Sequence, residues 1–311
     1  MTDHANEGML PGLPAPAPPG TSALPEGTYE GVVVLVTGGG TGLGKAIATE
    51  FARLGADLVI AGRKEERLKA ARDELAGLGG RVAATPCDIR DPDRIAQVFE
   101  AAQSAFGLPD VLINNAAANF PVPAEDMSPN AWRSVVDITL NGTFFMTREF
   151  ARRHLAAGTP GSVINIGASY AWTGGPGFAH SAAAKAGVKS LVETLAVEWG
   201  PYGIQVNGLV PGLMPHEDMT PDIRANLDRA APPEPREPGA AVGELNARQP
   251  ALRVGAPREL GWAATFLASP YARFITGHTL VVDGANWQRR GLVSPEMVTV
   301  RGQMGRGRFG G

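Results

Sequence analysis

The sequence predicts an α/β protein, a doubly wound parallel sheet of about seven strands forming a single domain with a lid insertion. Three observations carry that prediction. Short apolar runs recur at 32–36, 58–61, 82–84, 111–113, 163–166, 204–210 and 280–282. Most are separated by stretches whose apolar residues return with a period near 3.6, as at 43–54, 65–78, 95–106 and 182–199. The first strand-like run, 32–36, is apolar throughout rather than alternating, which marks a strand covered on both faces. Alternating elements of these two kinds close as a parallel sheet with right-handed crossovers.

Taken in order, residues 1–30 come first. Residues 8–27 are rich in Pro, Gly and Ala without an apolar period, so a mobile tail is expected. The folded domain is expected over 31–285. Its first strand runs into Thr37-Gly38-Gly39-Gly40-Thr41-Gly42-Leu43-Gly44 and then a helix. A pyrophosphate must approach backbone N–H groups at a helix N-terminus, and side chains would block it, so glycines recur. That is the dinucleotide loop of a Rossmann sheet. The second strand ends at Ile60-Ala61-Gly62-Arg63-Lys64. An acid here would bond a ribose 2′-hydroxyl; two cations instead suit a 2′-phosphate, Arg63 best through its planar fork. NADP(H) is therefore the expected cofactor, held by Gly38, Thr41, Gly42, Leu43, Gly44, Arg63 and Lys64. Residues 212–250 carry many Pro, Asp, Glu and Arg residues and are too long for a plain connection, which suggests a lid. The 286–311 stretch sets Arg289, Arg290, Arg301, Arg306 and Arg308 against the single acid Glu296. It reads as a solvated C-terminal tail or as one packed on a neighbouring subunit.

Bulk properties exclude several classes. With 44% apolar residues, 19% charged residues and a net charge of −3, the chain has material for a core and no basic field to gather nucleic acid. The Arg-rich tail also lacks interleaved stacking aromatics. No apolar run approaches the roughly 18 residues of a membrane span. Cys87 is the only cysteine, so no intrachain disulfide forms and a reducing compartment is expected. The N-terminus lacks the pattern of a secretory signal, which makes a cytoplasmic enzyme the default. His4, His154, His180, His216 and His278 show no ligand spacing, so no metal is expected.

The spacing of Gly38, Gly42 and Gly44 resembles that of the short-chain dehydrogenase/reductase family, and the resemblance runs from about 31 to 284. It implies that Asp88 and Ile89, ending the third strand, lie against adenine. It places Asn115 and Ala116, in Asn114-Asn115-Ala116-Ala117, in the cofactor site, and Pro211 and Gly212 at the nicotinamide. Most of that family carries Tyr-x-x-x-Lys on the helix after the fifth strand. Lys185 is present here, but Ser181 stands at the Tyr position and Ala168 at that of an upstream Ser. An alkanol is far too weak an acid to replace a phenol. Either catalysis has been lost or the acid lies elsewhere, and Tyr170, just past the carboxyl end of the fifth strand, is the candidate.

The segments TGGGTGLGK (37–45), CDIRDPD (87–93), INNAAANF (113–120), SPNAW (128–132), LNGTFF (140–145), SAAAKAGV (181–188) and LAVEWGPYGI (195–204) are similar to those of 2,4-dienoyl-CoA reductases. That subfamily also has Ser at the helix position and its working Tyr eleven residues earlier, as Tyr170 precedes Ser181. Peroxisomal-type trans-2-enoyl-CoA reductases share a His-Ser like His180-Ser181 and a Phe-Ile-Thr-Gly like that at 274–277. The resemblance implies NADPH-dependent reduction of a conjugated acyl-CoA. Tyr170 and Asn141 would donate to the thioester oxygen, with Asn141 also distorting its helix and binding water. Lys185 would hold the nicotinamide ribose and Ser181 would support cofactor or substrate position. It also implies a homotetramer through helices at 131–157 and 181–200. A trans-2-enoyl-CoA reductase or a carbonyl/alcohol dehydrogenase is one alternative; an NADP-binding regulator without catalysis is the remote one. Arg224, Arg229, Arg248 and Arg253 are candidates for CoA phosphates.

Overall fold

The strand-like runs form seven parallel strands in the computed structural model, which describes residues 12–217, 219, 248–288 and 299–303. They are β1 Val33–Thr37, β2 Asp57–Gly62, β3 Val82–Pro86, β4 Val111–Asn114, β5 Gly161–Ile166, β6 Ile204–Pro211 and β7 Thr279–Val282. The order across the sheet is β3-β2-β1-β4-β5-β6-β7. Between them lie helices α1 Gly42–Arg53, α2 Glu65–Ala76, α3 Pro92–Ala105, α4 Pro129–Val136, α5 Thr143–Ala157, α6 Tyr170–Thr173, α7 Ala179–Trp199 and α8 Pro257–Ala268. A last turn, α9, spans Val300–Gln303.

The lack of alternation in the strands has the expected cause. Val34, Val36, Leu58 and Ile60 face one core, shared with α1, α2 and α8. Val33, Leu35, Val59 and Ala61 face a second core, shared with α3, α5 and α7. Both sets are buried, so these positions of β1 and β2 are apolar on both faces. Strand order reverses between β1 and β4, and there a crevice opens at the carboxyl ends of the strands.

Two expectations need correction. The helix expected over 131–157 is interrupted: α4 and α5 are joined by a π-helical segment, Asp137–Gly142. The mobile tail expected over 1–30 is, over its described residues 12–30, a strap on α8 and the segment before it. Leu13 N–H donates to the Ala251 carbonyl at 2.9 Å. Arg253 donates to the Pro14 carbonyl, Arg258 to Ala17 and Trp262 Nε1 to Thr21, each at 2.9 Å. Buried Tyr29 donates its hydroxyl to the Thr265 carbonyl at 2.5 Å. A proline-rich segment has few N–H groups for a ladder but keeps every carbonyl, and long donors from α8 reach those carbonyls. Composition alone does not register donors supplied from elsewhere in the chain.

The C-terminal stretch also meets its own chain where it is described. Trp287 stacks on Trp172 with ring centroids 5.3 Å apart, and Arg301 pairs with Asp126 at 2.8 Å. Of the expected lid, residues 218 and 220–247 lie outside the described residues, and with them Arg224 and Arg229. Arg253 is committed to Glu259 at 2.7 Å. No helix among the described residues is long and apolar enough to cross a membrane.

Candidate active site

The glycine loop is built around Thr37. Its hydroxyl accepts the N–H groups of Asn115 and Ala116 at 3.0 and 3.1 Å and donates to the Ile113 carbonyl, tying β1 to the end of β4. The Asn115 amide donates to the carbonyls of Thr37 and Gly38, at 3.1 and 3.3 Å. Asn115 therefore braces the loop. Gly38 has φ +65° and Gly42 φ +56°, a region that disfavours side chains. A Cβ on Gly44 would lie 2.2 Å from the Gly38 carbonyl oxygen, so the third glycine lets α1 begin against the loop. Thr41 is the N-cap of α1 but makes no side-chain cap bond, leaving the first-turn N–H groups to other acceptors. These residues fit a dinucleotide: a cradle that a Cβ would fill, at a helix N-terminus that favours negative charge.

Other expected cofactor residues surround this cradle. Arg63 and Lys64 are exposed just past β2. Asp88 follows β3, and its carboxyl lies below the usual carboxylate range chiefly because Arg90 bonds it, at 2.5 to 3.1 Å. Buried Ile89 packs so closely on Gly142 that a Cβ there would come within 2.7 Å. Pro211 ends β6, and Gly212 packs on Asp283, to whose Cα a Cβ would come within 2.6 Å.

The chemical residues meet between β5 and α7. The single turn α6 sets Tyr170 against the second residue pair of α7, with the Tyr170 hydroxyl 2.9 Å from Ser181 Oγ. The Tyr170 ring lies parallel to Phe178, centroids 6.3 Å apart. Burial raises the Tyr170 pKa, and the bond to Ser181 only partly opposes it, so at neutral pH Tyr170 is a phenol with a proton to donate. Ser181 is itself buried, and its N–H donates to Nδ1 of the fully buried His180 at 2.7 Å. One helical turn on, Lys185 donates to the Ile166 carbonyl at the end of β5. Burial pulls its pKa from 10.5 down to about 8.

Asn141 lies between α4 and α5. It lies in the π-helical segment, as a helix-distorting residue would, but its amide donates to Asp137 at 2.9 Å. The amide that reaches the Tyr170 hydroxyl belongs to Asn119, at 3.5 Å. Asn119 is exposed on the loop beyond β4, facing the same crevice. Asn119 lies within INNAAANF, where no motif singles it out. The usable signal was its place: a polar side chain a few residues past a strand's carboxyl end. Among the described residues no group of His, Cys, Asp or Glu converges as a metal site.

The chain resembles known proteins over most of its length. Residues 38–285 match the family described as Enoyl-(Acyl carrier protein) reductase. A Bacillus subtilis protein named as a probable 2,4-dienoyl-CoA reductase, (2E)-enoyl-CoA-producing, is 40% identical over 256 residues, 82% of this chain and 96% of that one. A Caenorhabditis elegans protein named as a probable 2,4-dienoyl-CoA reductase, (3E)-enoyl-CoA-producing, is 38% identical over 84% of this chain and 82% of its own. Among solved structures, a short chain dehydrogenase from Bacillus anthracis is 40% identical with a TM-score of 0.72, covering 82% of this chain and 96% of that one. A citronellol catabolism dehydrogenase from Pseudomonas aeruginosa is 33% identical with a TM-score of 0.72, covering 86% and 99%.

Proposed function

The chain belongs to the short-chain dehydrogenase/reductase family, and from that premise we propose that it reduces a conjugated acyl-CoA double bond with NADPH, as a 2,4-dienoyl-CoA reductase. The observation that carries this reading is the displaced phenol: Tyr170 on the α6 turn, bonded to Ser181 at the helix position where the family has Tyr. Bound NADPH would supply a hydride to the far carbon of the diene, sending electrons to the thioester oxygen, and a proton taken up at the α carbon, from water or Tyr170, would complete the reduction. Tyr170, protonated and half-buried, donates a hydrogen bond to that oxygen as charge gathers there. Asn119 supplies the second donor, since its amide already shares the space around the Tyr170 hydroxyl. Ser181 fixes the phenol's direction through its hydroxyl. Lys185 holds the nicotinamide ribose from the floor of the site. Asn141 keeps the π-helical segment in shape through Asp137.

The NADP(H) preference rests on Arg63 and Lys64. Equal catalytic efficiency with NADH would reject it. The substrate class is tested by supplying NADPH with a 2,4-dienoyl-CoA, a 2-enoyl-CoA and a β-ketoacyl-CoA. The dienoyl thioester should be consumed fastest; preference for the ketoacyl substrate would return the protein to carbonyl chemistry. The assembly we propose is a homotetramer through α4–α5 and α7, where Trp132, Leu155 and Val197 lie exposed. Light scattering that gives a monomer mass would remove it.

A further inference from the structure

The segment after β6 returns to the glycine loop. Glu217 lies six residues beyond Pro211, and its Oε1 accepts the N–H of Gly42 at 3.1 Å. The same oxygen lies 3.2 Å from the Lys45 ammonium. Gly42 is the first residue of α1, and Lys45 is one turn further along. One carboxylate oxygen thus joins a helix N-terminal donor to a cation, the pair of partners a phosphate oxygen seeks. Around it lies a cavity of about 320 Å³, lined by Gly40, Thr41, Lys45, Arg67, Glu74 and Glu217.

We propose that Glu217 is an internal competitor for cofactor phosphate: its carboxylate holds the Gly42 N–H and Lys45, and a dinucleotide binds by displacing it. Lys45 then becomes a phosphate ligand. The inference rests on the dinucleotide reading of the glycine loop. Two anionic groups cannot hold the same donors at once, so each dinucleotide pays for expelling Glu217 out of its own binding energy. The competition acts at the pyrophosphate, which NADPH and NADH share, and is therefore independent of cofactor preference.

Direct fluorescence titration of the folded full chain tests this. Glu217→Ala and Glu217→Gln should each bind NADPH and NADH about three- to tenfold more tightly, the gain expected when a competing state of that strength is removed. Lys45→Met should weaken both dinucleotides and erase most of the gain from Glu217→Ala in the double variant. Glu74→Gln removes the other carboxylate on Lys45, at 3.1 Å, without touching α1's first N–H, and should change little. Unchanged or weaker binding by both Glu217 variants overturns the proposal, as does an equal gain from Glu74→Gln. If neither wild type nor variant binds either dinucleotide while circular dichroism shows folded protein, the cofactor reading itself fails and takes the proposal with it.

Discussion

At the residue scale, the proposed mechanism separates two jobs that most of the family gives to a Tyr and a Lys on one helix. Burial raises the Tyr170 pKa, opposed only in part by the bond to Ser181, and the phenol stays protonated. Its partner donor is a matter of atoms rather than motifs. Asn119→Ala should lower turnover on a dienoyl-CoA about tenfold or more, the scale of losing one oxyanion donor. Asn141→Ala should act through the π-helical segment instead, lowering thermal stability along with activity. Similar activity losses with unchanged stability in both variants would restore Asn141 as a direct donor. Lys185 supplies a pH dependence. Burial lowers its pKa to about 8, so it is charged below that pH and neutral above it. NADPH binding should therefore be strong below about pH 8 and weaken as pH rises through it; titration at several pH values reads this directly. The same burial makes the folded state release its proton before the unfolded state does. Lys185's contribution to stability thus rises between about 8 and 10.5.

At the scale of elements, strands and helices were legible because their apolar spacing is a direct record of which faces are covered. The glycine loop was legible too, since a backbone that must approach a phosphate leaves glycines behind. What stayed hidden was supplied by distant partners. The strap at residues 12–30 has no pattern of its own, because its hydrogen bonds come from Arg253, Arg258 and Trp262. The π-helical segment was likewise invisible to a 3.6-residue period, which continues through it. Tyr29 anchors the strap's end, bonded to α8 and edge-on to Phe51 with centroids 4.8 Å apart. Tyr29→Phe should cost about 1–2 kcal/mol, the loss of one buried hydrogen bond. Urea unfolding measures it; an unchanged midpoint would mean that the strap adds nothing at this anchor.

At the scale of the whole molecule, the sheet order brings four distant stretches of chain to one crevice. The loop after β1, Asn119 after β4, Tyr170 after β5 and Glu217 after β6 all lie at the carboxyl ends of strands. Sequence could place two of these, the glycine loop and Tyr170, from motifs. Glu217 was out of reach because its contact with Gly42 crosses 175 positions of chain and belongs to no pattern. In the proposed mechanism the glycine loop and Lys185 keep their places on the sheet while Tyr170 approaches from the loop after β5. The direct test is turnover of a 2,4-dienoyl-CoA by Tyr170→Phe, with NADPH affinity measured alongside. Loss of turnover by about 10²–10³ with cofactor affinity preserved is the expected result. Near-full turnover in that variant would contradict the role given to Tyr170.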